Sequence, residues 1–296
     1  MNTALCSDYA EKFRYLFLPA GTNVTYRAQG VFDFPVGAVL IKTFAYPADF
    51  RAPAEKLRFI ETRLLVHRAG GWAAFTYVWN EQQNEAVLTR AGMRIGVSFF
   101  DAAGAERRID YEVPNVNQCK QCHSLAGVVM PIGPKARNLN GGYFYADRTE
   151  NQLAYWIRSG LLSGAPEPAS VPVLPHWDDN AAALEGRARA YLDVNCAHCH
   201  NRQGLASNSG LYLTYDETDP SALGVFKRPV AAGKGSGGLS YSIVPGHPEQ
   251  SILVYRMAST EPGVMMPQIG RSLSHREAVD LIREYIAGLK PAPDQN

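Results

Sequence analysis

Cys119, Cys122 and His123 in "NQCKQCHS", and Cys196, Cys199 and His200 in "YLDVNCAHCHNRQG", put four of the chain's five cysteines into two copies of one pattern. In each copy two thiols stand three residues apart and an imidazole follows the second. Residues at i and i+3 share one side of a helical turn. Two thiols placed so can each add to a vinyl group of one flat macrocycle, and the next side chain can offer its imidazole to the metal at the centre. Cys-x-x-Cys-His is therefore the attachment signature of c-type haem. Two other chemistries use paired cysteines. Zinc ribbons space their pairs by roughly 15–20 residues, whereas these pairs lie more than 70 residues apart. Thioredoxin-like pairs belong to a βαβ context, which neither copy shows. The spacing predicts two covalently bound haem c, with the four cysteines as thioether anchors and His123 and His200 as proximal iron ligands.

A sixth ligand for the second site is sought downstream. In "EPGVMMPQIGRSLS" (261–274), Met266 stands directly before Pro267, about 65 residues beyond the motif and just ahead of the closing helix. A thioether at that place would raise the reduction potential and favour electron transfer over substrate binding. Met265 is the neighbouring alternative, and core filling is the ordinary role of both. For the first site, Met130 precedes a proline but follows His123 by only seven residues, too short a return to the opposite face of a macrocycle. His176 in "VLPHWDD" and residues of the N-terminal region are further candidates. Lys135, Arg137 and Arg271 could pair with haem propionates through charge-assisted bonds or stand as solvated charges. Cys6 reads as a small half-buried hydrophobe.

The elements that must position these residues fall into two halves. "GAVLIKTFAY" (37–46), "RFIETRLLVH" (58–67), "WAAFTYVWN" (72–80) and "MRIGVSFFD" (93–101) are rich in β-branched and aromatic residues and separated by turn signals. With the hairpin pattern "DAAGAERRIDYEV" they predict an antiparallel sheet that ends at the first motif. Helical patterns follow: 148–160 with Thr149 as N-cap and Gly160 as stop, 180–196 leading into the second motif, 248–259, and 274–290 with Ser274 and Glu277 as a capping box. "APEPASVPVLP" (165–175) reads as an extended proline-rich connection. The expectation is an α+β chain: a β-rich haem domain with a trailing helix over 1–164, a linker over 165–179, and a helical cytochrome c domain over 180–296.

The charge balance is even, with 29 Lys and Arg against 28 Asp and Glu, so nothing suggests nucleic acid or an anionic membrane as partner. No run of about 18 apolar residues predicts a transmembrane segment. The opening "MNTALCSDYA" lacks a basic and then apolar leader. Haem attachment of this type implies export, so a periplasmic or extracellular location is expected, with the signal peptide absent from this chain.

Residues 183–290, through "YSIVPGHPEQSILVYRM", "GVMMPQIG" and "LSHREAVDLIREYI", resemble the small cytochrome c domains that accompany bacterial sugar dehydrogenases. The resemblance implies a small helical fold with His200 proximal and Met266 distal; His247 stands where such domains carry an acidic residue. The N-terminal run of strands ending in Cys-x-x-Cys-His resembles the β-sheet haem proteins grouped with cytochrome c′-beta and their hydroxylamine-oxidising relatives, whose haem is linked to a lysine. That likeness implies a five-coordinate iron and marks Lys42, whose ordinary reading is an exposed strand lysine, as a residue near the haem or its metal. The whole chain, through "SDYAEKFRYLFLPAGT", "GPKARNLN" and "ENQLAYW", is similar to an uncharacterised bacterial di-haem family associated with those dehydrogenases. An electron carrier between an exported dehydrogenase and a respiratory acceptor is the implied role. The alternative is a haem enzyme or gas sensor, peroxidase-like or hydroxylamine-oxidising, with an open axial site on the N-terminal haem.

Overall fold

A computed structural model describes residues 1–290 and gives a mixed α+β fold. The N-terminal half is built from strands β1 (Glu11–Phe17), β2 (Val24–Thr25), β3 (Val39–Pro47), β4 (Leu57–Arg68), β5 (Gly71–Trp79), β6 (Ala86–Leu88), β7 (Met93–Phe100) and β8 (Glu106–Val113). Five of them form one antiparallel sheet in the order β1-β3-β4-β5-β6. The β7–β8 hairpin folds across one end of it. There Tyr46 stacks on Phe99 at 5.1 Å, and Phe44, Ile60, Ile109 and Val113 close the core between sheet and hairpin. A second cluster, around Phe32, Leu139, Leu153 and Leu162, fills the other end.

Helices α1 (Val116–Cys122), α2 (Ala136–Leu139) and α3 (Gln152–Arg158) follow, and α4 (Leu184–Asn195), α5 (Ile252–Ala258) and α6 (Arg276–Gly288) make the C-terminal unit. Leu192, Val254, Ile282 and Ile286 meet in its core. These are the apolar faces that helical spacing assigns to α4 and α6.

Several boundaries differ from the sequence expectation, each for a local reason. The strand β1, "EKFRYLF", was not among the expected elements; it pairs along β3 from Glu11–Ala45 to Phe17–Val39. Thr149 lies in a short strand paired with 142–144, and the cap of α3 is Asn151, whose side chain accepts from the Ala154 N–H. Before α6, Ser274 donates to the Met257 carbonyl and Glu277 accepts from the Tyr9 hydroxyl. Tertiary partners thus take both members of the expected capping box.

The proline-rich stretch 165–175 is held at its middle, where the carbonyls of Pro168 and Val171 accept from the Asn140 side chain, and at its C-terminal end. Leu174 is buried and its N–H donates to the Arg137 carbonyl, while Asn2 and Thr3 donate to the carbonyls of Leu174 and Pro175. The first ten residues run between the two halves. Asp8 accepts from the N–H groups of Ser272 and Leu273, and the Cys6 N–H donates to Asn195. Among the described residues no helix is long and apolar enough to cross a membrane.

Candidate functional site

The first motif is set by its cap. Asn115 accepts from the N–H groups of Asn117 and Gln118, and Gln118 returns a bond to the Asn115 N–H. This reciprocal box starts α1 with both cysteines one turn later. The Gly92 position allows the start: a Cβ there would lie 2.8 Å from the Val113 carbonyl and 2.9 Å from the Asn115 nitrogen. At the end of α1, His123 Nδ1 lies 3.1 Å from the Met130 carbonyl oxygen. A carbonyl only accepts, so Nδ1 carries the proton and Nε2 keeps its lone pair. Burial lowers the His123 pKa to about 4, so the imidazole is neutral at pH 7. Metal-binding histidines are oriented by such a bond on the far nitrogen.

The second motif leaves α4 at Cys196. Its turn is closed by Cys199 N–H and His200 N–H donating to the Cys196 carbonyl. The chain then doubles back so tightly that a Cβ on Gly204 would stand 2.3 Å from the Cys199 carbonyl. His200 is buried, with Nδ1 3.4 Å from Ser209 Oγ, and burial lowers its pKa to about 4 as well.

The two motifs meet. Cys122 and Cys199 stand close enough for each to shift the other's pKa. Cys199 Sγ lies 3.9 Å from the Gln121 carbonyl, and the Ala126 N–H donates to the Gln203 carbonyl at 2.9 Å. The neighbouring Cys199, with burial, pushes the Cys122 thiol up to about 12, while Cys122 in turn lowers Cys199. Burial raises Cys119, and takes Cys196 to about 12. All five cysteines are free thiols.

A cavity of about 360 Å³ lies between the sheet and the C-terminal helices. Cys119, Cys122 and His123 line it from the first motif, and Cys196 and His198 from the second; Cys199 and His200 are not part of the lining. The sheet wall is ordered in rungs. Leu16, Leu40, Leu65 and Ala74 are direct cross-strand partners, as are Arg14, Lys42, Arg63 and Thr76, and all eight line the cavity. Behind the second rung, Glu61 is fully buried, pairs with Arg63 and accepts from the Tyr111 hydroxyl at 2.6 Å.

Met266 faces the cavity from the helical side; Met265 does not line it. The loop holding Met266 is organised by Arg271, which donates to the carbonyls of Arg256, Ser259, Met266, Pro267 and Leu273. The Met266 N–H in turn donates to the Arg256 carbonyl. Sequence reasoning did not assign Arg271 this task; a lone arginine after a methionine loop carries no such signal. The same five bonds leave Arg271 engaged with backbone, Lys135 pairs with Asp193, and Arg137 pairs with Asp216. None of the three cations considered for propionates is without a partner.

Met130 turns its backbone to His123 twice, donating N–H to the His123 carbonyl at 2.7 Å and accepting from Nδ1. It orients the histidine from behind and lies outside the cavity lining. His176 is exposed, also outside the lining. Lys42 lines the cavity, and burial followed by the nearby charges of Arg14, Lys12 and Arg63 holds its pKa well below the ordinary lysine value.

These residues fit attached haems: each motif has free thiols at the right spacing and a neutral buried imidazole, and the first motif, Cys196, Met266 and an apolar rung face one cavity. They fit zinc poorly, because among the described residues no three His, Cys, Asp or Glu side chains gather about one point. No family model, curated protein or solved structure matches the chain.

Proposed function

We propose that the chain is a di-haem c-type cytochrome: an N-terminal antiparallel-sheet haem unit followed by a helical cytochrome c unit. Its role in this reading is to carry electrons between an exported dehydrogenase, of the sugar-oxidising kind, and a respiratory acceptor, in the periplasm or outside the cell. When bound, the haems supply reversible one-electron chemistry. The chain's residues do the rest. Cys119, Cys122, Cys196 and Cys199 anchor, His123 and His200 hold iron through Nε2, and Met266 offers the second site a thioether. The apolar rung and the α4–α6 core exclude water, which favours electron transfer over side reactions.

The observation that carries this reading is the meeting of the two motifs, with Cys199 Sγ 3.9 Å from the Gln121 carbonyl oxygen and the Ala126 N–H donating to the Gln203 carbonyl at 2.9 Å. Groups attached at adjoining motifs are neighbours, so electrons can pass between them within one molecule. A second reading has its own support. The sheet wall beside His123 presents an aliphatic rung and the rung Arg14, Lys42, Arg63 and Thr76 but neither methionine nor histidine, which suits an open iron that binds a small ligand, as in a haem enzyme or gas sensor.

The test is an absorption spectrum of protein matured with the c-haem attachment machinery, oxidised and reduced, with haems counted as the pyridine haemochrome. Two low-spin haems unchanged by carbon monoxide support the carrier. One high-spin haem that binds carbon monoxide supports the second reading. No covalent haem overturns both.

A further inference from the structure

The rung Arg14–Lys42–Arg63 is an electrostatic anomaly. Cross-strand partners share one face of a sheet and stand about 5 Å apart, and like charges so placed destabilise the pair. Here three cations occupy neighbouring strands and all line the cavity. The one carboxylate at hand, Glu61, is already committed to Arg63 and the Tyr111 hydroxyl. Arg14, at the exposed edge strand, donates only to the Lys12 carbonyl. Lys42 stands between them. Among the described residues it has no acceptor for its ammonium, which lies 4.8 Å from the centre of the Phe44 ring.

A lysine in such surroundings gives up its proton unless an anion meets its ammonium. The cavity itself restricts what the anion can be. Along the chain direction, two residues from the cationic rung, Leu16–Leu40–Leu65–Ala74 present an unbroken apolar row. Across the strands, the cationic rung ends at Thr76, which lines the same cavity as Cys119. From Thr76 on β5 to Arg14 on β1 is three strand spacings, about 14 Å. The wall therefore has an anchoring thiol at one side, cations toward the other, and an aliphatic floor alongside.

We propose that Lys42, flanked by Arg63 and Arg14, is the binding site for the propionate carboxylates of the haem attached at Cys119 and Cys122. The proposal rests on the di-haem reading and adds the way this haem is oriented: its carboxylates turn toward the edge strand β1, away from the second motif. Arg14 caps them at the mouth of the cavity, Lys42 meets them within it, and Arg63 is held in place by Glu61. Lys42 in this role is a counter-charge and a positioning residue, and it does not bind iron.

The experiment compares wild type with Lys42→Gln and Lys42→Arg as matured holoprotein, by haemochrome count, spin-state spectrum and redox titration. Losing a positive charge beside the haem disfavours the reduced state. The expected result is two covalent haems in every protein, unchanged spin states, and a lower midpoint potential for one haem in Lys42→Gln, restored in Lys42→Arg. Arg14→Gln, at the exposed edge, should give a smaller shift of the same haem in the same direction. Unmoved potentials in both Gln variants, with two haems bound, would overturn the proposal. So would a change from low to high spin in Lys42→Gln, which would make Lys42 an iron ligand. Absence of covalent haem in wild type would instead sink the reading beneath it.

Discussion

The two Cys-x-x-Cys-His motifs are the same five-residue text set in opposite surroundings. The first ends a short capped helix and faces a β-sheet, presenting both thiols and its imidazole to the cavity. The second follows a buried helix in an all-helical core, presents Cys196 and His198 to that cavity, and keeps His200 packed behind. The thioether source differs too. At the helical site Met266 is held by a loop clamped through Arg271, whereas at the sheet site Met130 spends its backbone on the imidazole of His123. One five-residue motif thus stands in a closed helical setting or beside an open sheet wall. The surrounding fold decides which.

The largest effect comes from removing anchors. Replacing Cys119 and Cys122 by Ala should halve the haemochrome count and leave the second site's spectrum intact. The Cys196/Cys199 pair, with Cys196 in the hydrophobic core, should lose its haem and some stability of the helical unit. Equal collapse of both variants would mean that the sites are not separable.

Next, Met266→Ala should turn one low-spin haem into a high-spin, carbon monoxide-binding one and lower its potential. Met265→Ala should leave the spectrum unchanged. If neither substitution alters the spectrum, the contrast between the two sites disappears.

Arg271→Gln tests the clamp. It removes a charged donor from five carbonyls, and leaving buried acceptors without partners costs about 1–3 kcal/mol each before relaxation. The Met–iron charge-transfer band should weaken at the second site while the first site's spectrum stays fixed. A variant with full band strength and wild-type melting would show the loop to be self-supporting.

The smallest effect is a pH dependence confined to the helical side. Burial holds His275 below its ordinary value, so the folded chain resists the proton that the unfolded chain accepts. Stability from this group is present above about pH 6.5 and declines as pH falls through the depressed value. Melting curves between pH 7 and 5 should show a shallower decline for His275→Gln than for wild type.

Much of this was legible from the sequence and some was not, for definable reasons. The strands β3, β4, β5, β7 and β8 announce themselves through β-branched and aromatic runs, and α6 through Val279, Ile282, Tyr285 and Ile286. β1 escaped because Lys12 and Arg14 make its inner face look solvated, when it borders a cavity. Likewise Ser274 and Glu277 have the spacing of a capping box, but Tyr9 and the Met257 carbonyl outcompete the backbone for them. At the site, the paired thiols and following histidines proposed as anchors and iron ligands are visible in local spacing alone. The approach of Cys122 to Cys199 joins residues 77 apart, and the Arg14–Lys42–Arg63 rung depends on strand register. Neither leaves a periodic trace in one sequence.

The most direct test of the account is circular dichroism across the Soret band of the fully matured, oxidised protein. Two haems attached at adjoining motifs should couple, giving a couplet of opposite signs that vanishes in the Cys119/Cys122 double variant. Two haems by haemochrome with a single-signed Soret band, unchanged but for intensity when one is removed, would contradict the claim that the two sites adjoin.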